Sequence, residues 1–298
     1  MRHATLLLGL ALLTVGFSGC LATSTDETVE AASADETVED AGLSPAAAEN
    51  GADRLPWGLS ECEFVMAFVP VPASAVEQRL PDGFSARSPE DVGLPPSLVD
   101  AAGVDGDALI GVEFEVCERG VGLDGSPVQN MEHATVWTPV YPAEDIGNAF
   151  AIYKFKGAFD HQPSQDLLEK QGIPDLDFSA GFDVLTQRTG GPFEASLTWE
   201  DAGTYEMRGG GVTDEYVGHA YSLFECVGYM PIPGTEELGR AHTYFHGTSL
   251  YEATGTVSVP DGSILDELGS TEQARAYFLF GIGNYKDSSM TFPPNATR

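Results

Sequence analysis

The chain has 298 residues, enough for one large domain or two small ones around a sizeable core. It carries 46 Asp and Glu against 14 Lys and Arg, a formal net charge of -32, and its lysines are Lys154, Lys156, Lys170 and Lys286 alone. Such a surface repels phosphate backbones, so a nucleic-acid partner is excluded, and carboxylate excess with scarce lysine points to a protein built for high salt, where screening removes self-repulsion.

The chain starts MRHATLLLGLALLTVGFSGC, a basic start followed by an apolar run from Ala4 to Phe17 and small residues up to Cys20. That run falls short of the ~20 apolar residues a membrane span needs and has the form of a secretory signal. Phe17-Ser18-Gly19-Cys20 resembles the lipobox of prokaryotic lipoproteins, with Phe17 where that motif has Leu. The resemblance implies cleavage before Cys20, lipid attachment at Cys20 and residence on the extracytoplasmic face of the cell membrane. The plainer alternative is an ordinary cleaved signal or an uncleaved anchor. From Leu21 to Arg54 the chain is mostly Ala, Ser, Thr, Asp and Glu, with Asp26–Glu30 repeated as Asp35–Glu39. Such a segment buries too little apolar surface to offset ordering entropy and reads as a disordered tether. The expected layout is a signal over residues 1–19, a lipidated Cys and acidic tether over 20–54, and one domain over 55–298.

The domain is mainly β with few short helices. Strands are expected over Cys62–Val69, Ala108–Cys117, His133–Tyr141, Ala149–Phe159, Phe193–Trp199, Gly218–Tyr229, Arg240–His246 and Ser249–Val259, separated by Gly, Pro and Asp turn signals. In Ala108–Cys117, Val112, Phe114 and Val116 alternate with Glu113 and Glu115 on the outer face of the strand, where solvated carboxylates are the plainer reading and acids in a cavity the alternative. Helices are expected over Ala73–Leu80, Gln165–Gln171 and Thr271–Phe280, and Asp201–Glu215 reads as a loop or hairpin tip. No parallel βαβ rhythm appears. Cys62, Cys117 and Cys226 remain once Cys20 is set aside; they allow one disulfide and one further thiol, or three buried thiols.

The run Phe68-Val69-Pro70-Val71-Pro72-Ala73-Ser74-Ala75-Val76-Glu77-Gln78-Arg79-Leu80-Pro81-Asp82-Gly83-Phe84 resembles the opening of acetoacetate decarboxylase-like domains, a strand, a short helix and a Leu-Pro-x-Gly-Phe turn. Leu109 to Val116 is similar to their next strand. The resemblance implies one antiparallel barrel or cone around a small-molecule cavity. In the decarboxylases themselves it further implies a Schiff-base lysine, whose pKa is depressed by apolar surroundings and a neighbouring cation. Their Pro-Lys-Lys motif is missing here. The nearest counterpart is Tyr153-Lys154-Phe155-Lys156, where strand periodicity puts both lysines on one face about 7 Å apart. Two lysines on an outward strand face are the ordinary alternative.

His242-Thr243-Tyr244-Phe245-His246 sets two imidazoles four apart, a spacing that allows metal ligation, with a structural role as the plainer alternative. No phosphate loop and no Gly-x-Ser-x-Gly elbow is present. The leading expectation is a lipid-anchored protein, partnered by the membrane and binding a small organic ligand without surviving decarboxylase chemistry or a cofactor. A keto-acid lyase using Lys154 or Lys156 is the alternative, and a metal-binding protein built on His242 and His246 the weaker one.

Overall fold

The computed structural model describes residues 53–92, 108–174, 176–181, 190–211 and 224–293. Cys20, the tether as far as Ala52 and the first half of the strand expected over Gly218–Tyr229 lie outside the described residues, and the tether's last two residues, Asp53 and Arg54, open β1. The strands are β1 (Asp53–Val71), β2 (Ser85–Ala86), β3 (Ala108–Val121), β4 (Pro127–Tyr141), β5 (Phe150–Phe159), β6 (Phe178–Gly181), β7 (Phe193–Trp199), β8 (Gly203–Gly210), β9 (Phe224–Pro231), β10 (Leu238–Ser258) and β11 (Gln273–Phe292). Among the described residues the helices are short: α1 (Ala73–Glu77), α2 (Pro89–Val92), α3 (Gln162–Lys170) and α4 (Ile264–Glu267).

The strands run in the order β11-β1-β3-β4-β5-β9-β10, and β10 pairs back onto β11, so the sheet closes into a barrel. All these pairings are antiparallel except β5 with β9. Closure removes the exposed strand edges that invite association. Strand β10 makes the architecture by doing two jobs. Its first part, Leu238–Phe245, pairs with β9, and its later part, Thr254–Val257, pairs with β8, which leads a β8-β7-β6 wing away from the barrel.

The wing folds over the outside of the barrel wall. Val65, Val112, Phe114, Val136 and Phe278 from the wall form one cluster with Phe193, Leu197, Trp199 and Met207 from the wing. The opposite face of the same strands points inward. There Phe68, Leu109, Trp137, Phe150, Cys226 and Tyr277, from β1, β3, β4, β5, β9 and β11, meet in a second cluster. Burial of each large apolar side chain contributes about 1.5–3 kcal/mol, so the two-sided wall carries most of the stability. A strand buried on both faces reads as nearly continuous apolar sequence, as β3 does from Ala108 to Phe114.

Three sequence expectations give way here. The segment Thr271–Phe280 forms the start of β11, from Gln273 on, instead of a helix, because pairing with β1 and β10 outweighs local propensity. Of Asp201–Glu215, the described part turns at Asp201 and Ala202 and returns as β8, and residues 212–215 lie outside the described residues. The strands expected over Arg240–His246 and Ser249–Val259 are one strand, with a register shift between Gly247 and Ser249. Of the alternatives for the thiols, the pair Cys62–Cys117 is bonded, across directly opposed positions of β1 and β3, and Cys226 is a buried cysteine outside the disulfide.

Candidate functional site

Next to the cluster of Phe68, Leu109 and Trp137, on the same inward face, lies a belt of polar side chains. Glu113 and Glu115 on β3, His133 on β4 and Lys154 on β5 all belong to it. The expectation of solvated carboxylates is overturned: Glu113 is 6 % exposed and Glu115 0 %. Alternation along β3 is as expected, but the outer face is the one under the wing, so the polar face is the enclosed one. Cross-strand register then assembles the belt, with Glu115 opposite His133 and Gly111 opposite Trp137.

Lys154 and Lys156 are separated by the wall. Trp137 pairs with Lys154 and Val136 with Lys156, so Phe155 is an extra residue on β5. A bulge of this kind reverses the facing of everything beyond it, and the two lysines no longer share a face. Lys154 points inward and is 8 % exposed. Lys156 points outward, forms an ion pair with Asp201 and sits over the Trp199 ring at 4.5 Å from its centroid. The expected 7 Å pair of amines does not form.

Two glycines make room for the belt. A Cβ on Gly111 would fall 2.4 Å from the Trp137 ring, so only glycine lets that indole lie against β3. A Cβ on Gly228 of β9 would come within 3.1 Å of Lys154 Cε. The indole, so placed, donates from Nε1 to Glu113 Oε2 at 2.7 Å. Glu115 Oε1 meets His133 Nδ1 at 2.6 Å, and the imidazole stacks on Phe159.

Burial dominates the electrostatics. It raises Glu113 to about 7, reinforced by Glu115, while His133, Lys154 and the Trp137 hydrogen bond pull the other way. Burial likewise raises Glu115 to about 7, opposed by the approach of the Tyr285 hydroxyl and by Lys154. His133 is held down at about 3 by burial and by Lys154, so it is a neutral imidazole. Burial lowers Lys154 from the ordinary amine range, with Glu113, Cys226 and Glu115 opposing. The Tyr285 phenol is pushed well up by burial and the nearby carboxylates. The arrangement therefore offers an amine with a weakened hold on its proton beside carboxyl groups that exchange protons near neutrality.

The histidine pair behaves differently. His242 is half-buried, bonded to Glu225 and stacked on Tyr244. Among the described residues neither His242 nor His246 belongs to a group of three metal-ligating side chains. Cys62, Cys117 and Glu115 do come together, but the sulfurs are bonded to each other and offer no thiolate. Sequence reasoning did not place His133 with the two glutamates and missed Trp137 and Tyr285. The alternation of His133, Thr135 and Trp137 opposite the two glutamates was the available signal.

No family model matches the sequence, and no curated protein matches it. Solved structures do match in shape. The enduracididine biosynthesis enzyme MppR in complex with pyruvate superposes with a TM-score of 0.50 at 13% identity, over 85% of this chain and 91% of that one. An acetoacetate decarboxylase-like enzyme from Sphingomonas wittichii RW1 gives a TM-score of 0.50 at 11% identity, over 85% and 97%. At such identities the likeness speaks for architecture alone. The chain has the acetoacetate decarboxylase-like fold, mostly β with a few short helices.

Proposed function

We propose that this domain performs amine-dependent chemistry on a small keto acid, with Lys154 as the nucleophile. One observation carries the reading: the enclosed Lys154 lies beside Glu113 and Glu115, its pKa lowered by burial. A free amine attacks a carbonyl carbon to give a carbinolamine, which loses water to form an iminium. Glu113 or Glu115, protonated up to about neutral pH, delivers the proton to the departing hydroxyl. In a β-keto acid the iminium then accepts the electron pair released when the carboxylate leaves as carbon dioxide. Desolvation depresses the amine here, in place of the adjacent second lysine of the decarboxylase motif.

The N-terminal lipobox-like segment supports anchoring through Cys20, with the acidic tether carrying the domain off the membrane on the extracytoplasmic side. The excess of carboxylates supports function in high salt.

The deciding experiment is borohydride trapping with acetoacetate and with pyruvate, followed by peptide mass mapping. A reduced adduct on the Lys154 peptide is expected with at least one of them. Absence of an adduct with both would return the domain to ligand binding without covalent chemistry, the reading that the missing Pro-Lys-Lys favours.

A further inference from the structure

The two buried glutamates differ in how their oxygens are satisfied. Glu113 Oε2 accepts from the Trp137 indole. Glu115 Oε1 meets His133, whereas its Oε2 is buried without a hydrogen-bond partner among the described residues. A buried carboxylate oxygen left unpartnered destabilises the charged form and keeps the proton on the acid. Two sulfurs stand beside this carboxyl: a Glu115 oxygen and the Sγ atoms of Cys62 and Cys117 all lie within 4.8 Å of one another. A disulfide sulfur has no hydrogen to donate, whereas a hydroxyl or a thiol in its place has one.

We propose that the Cys62–Cys117 disulfide is a positioning pair for the Lys154 site, filling the space beside Glu115 with atoms that cannot donate a hydrogen bond to it. The consequence for Lys154 rests on the function proposed above. Glu115 that keeps its proton adds no negative charge beside the amine and stands ready as an acid. Glu115 supplied with a donor ionises earlier, draws a proton onto Lys154 and removes the nucleophile. The other groups facing this carboxyl are Glu113 from β3, His133 from β4, Lys154 from β5 and Tyr285 from β11, and Cys226 from β9 faces Lys154 and Tyr285 in turn. Glu252 of β10 is buried on the same face by register. The Tyr285 hydroxyl approaches the carboxylate and favours its charge, yet Oε2 remains without a partner.

The test compares two double variants that lose the crosslink equally and differ in donors: Cys62→Ala with Cys117→Ala, and Cys62→Ser with Cys117→Ser. Protonation of Glu115 is followed by infrared titration of its carboxyl band, assigned by the band's loss in Glu115→Gln. The alanine pair is expected to titrate like wild type, and the serine pair to hold its proton about tenfold less tightly, a shift of one pH unit downward. Should the serine pair not fold, wild-type protein reduced with dithiothreitol replaces it, its two S–H groups supplying the donors. Coincident titration of the donor-bearing and donor-free forms would overturn the proposal. This readout needs no carbonyl compound, so a shifted titration with no trapping at Lys154 in any form would leave the positioning pair standing and defeat the keto-acid reading instead.

Discussion

Lys154 and Lys156 lie two positions apart on one strand and face opposite sides of the barrel wall, because Phe155 is an extra residue between them while their β4 partners, Trp137 and Val136, are consecutive. The inner amine meets carboxyl groups, and the outer one meets Asp201 and Trp199. One inserted residue thus decides which lysine is enclosed and denies it a second ammonium as neighbour.

Substitution separates the two roles. Lys154→Met is expected to abolish borohydride-trapped adduct entirely, while Lys156→Met retains it within about threefold. The outer change loses an ion pair with a largely exposed partner and one cation–π contact, so it costs no more than about 1 kcal/mol in chemical denaturation. Equal loss of adduct in both variants would contradict the separation by the wall.

The buried carboxyls give stability a definite pH dependence. Glu115 holds its proton in the folded state up to about 7, whereas the unfolded chain releases it near 4.5. Between those values the folded state binds the extra proton, so stability falls as pH rises. Glu113 acts in the same sense. His133, at about 3 against an ordinary 6.5, acts oppositely, losing stability as pH falls through that range. Glu115→Gln removes one carboxyl from this balance. Its thermal midpoint is expected to decline less than that of wild type across the window from about 4.5 to about 7, and parallel curves would refute the assignment.

Gly111 is expected to tolerate no side chain. Gly111→Ala puts a Cβ 2.4 Å from the Trp137 ring, and the indole must move away from Glu113 to make room. Overpacking of this kind costs about 1–3 kcal/mol. Urea unfolding measures the cost. Trapping at Lys154 weakens in parallel if Trp137 sets the position of Glu113, and unchanged trapping would show that it does not.

The anchoring reading is checked at Cys20. Cys20→Ser is expected to move the protein from the detergent phase to the aqueous phase of a membrane extract. A variant that still partitioned with membranes would place the anchor elsewhere.

Local pattern was enough to show a mainly β domain, the strand–helix–turn from Phe68 to Phe84 and the alternation that singles out Glu113 and Glu115, because a period of two depends only on neighbouring residues. Charge balance likewise set, from composition alone, the expectation of a partner other than nucleic acid. Which face of a strand is enclosed does not follow from its period. It was decided by closure of β10 onto β11 and by the wing packing outside, contacts between residues far apart in the chain. The bulge at Phe155, the bonding of Cys62 to Cys117 and the conversion of Thr271–Phe280 to strand belong to the same class. Each depends on what stands opposite, and a partner strand many residues away leaves no mark on the local sequence.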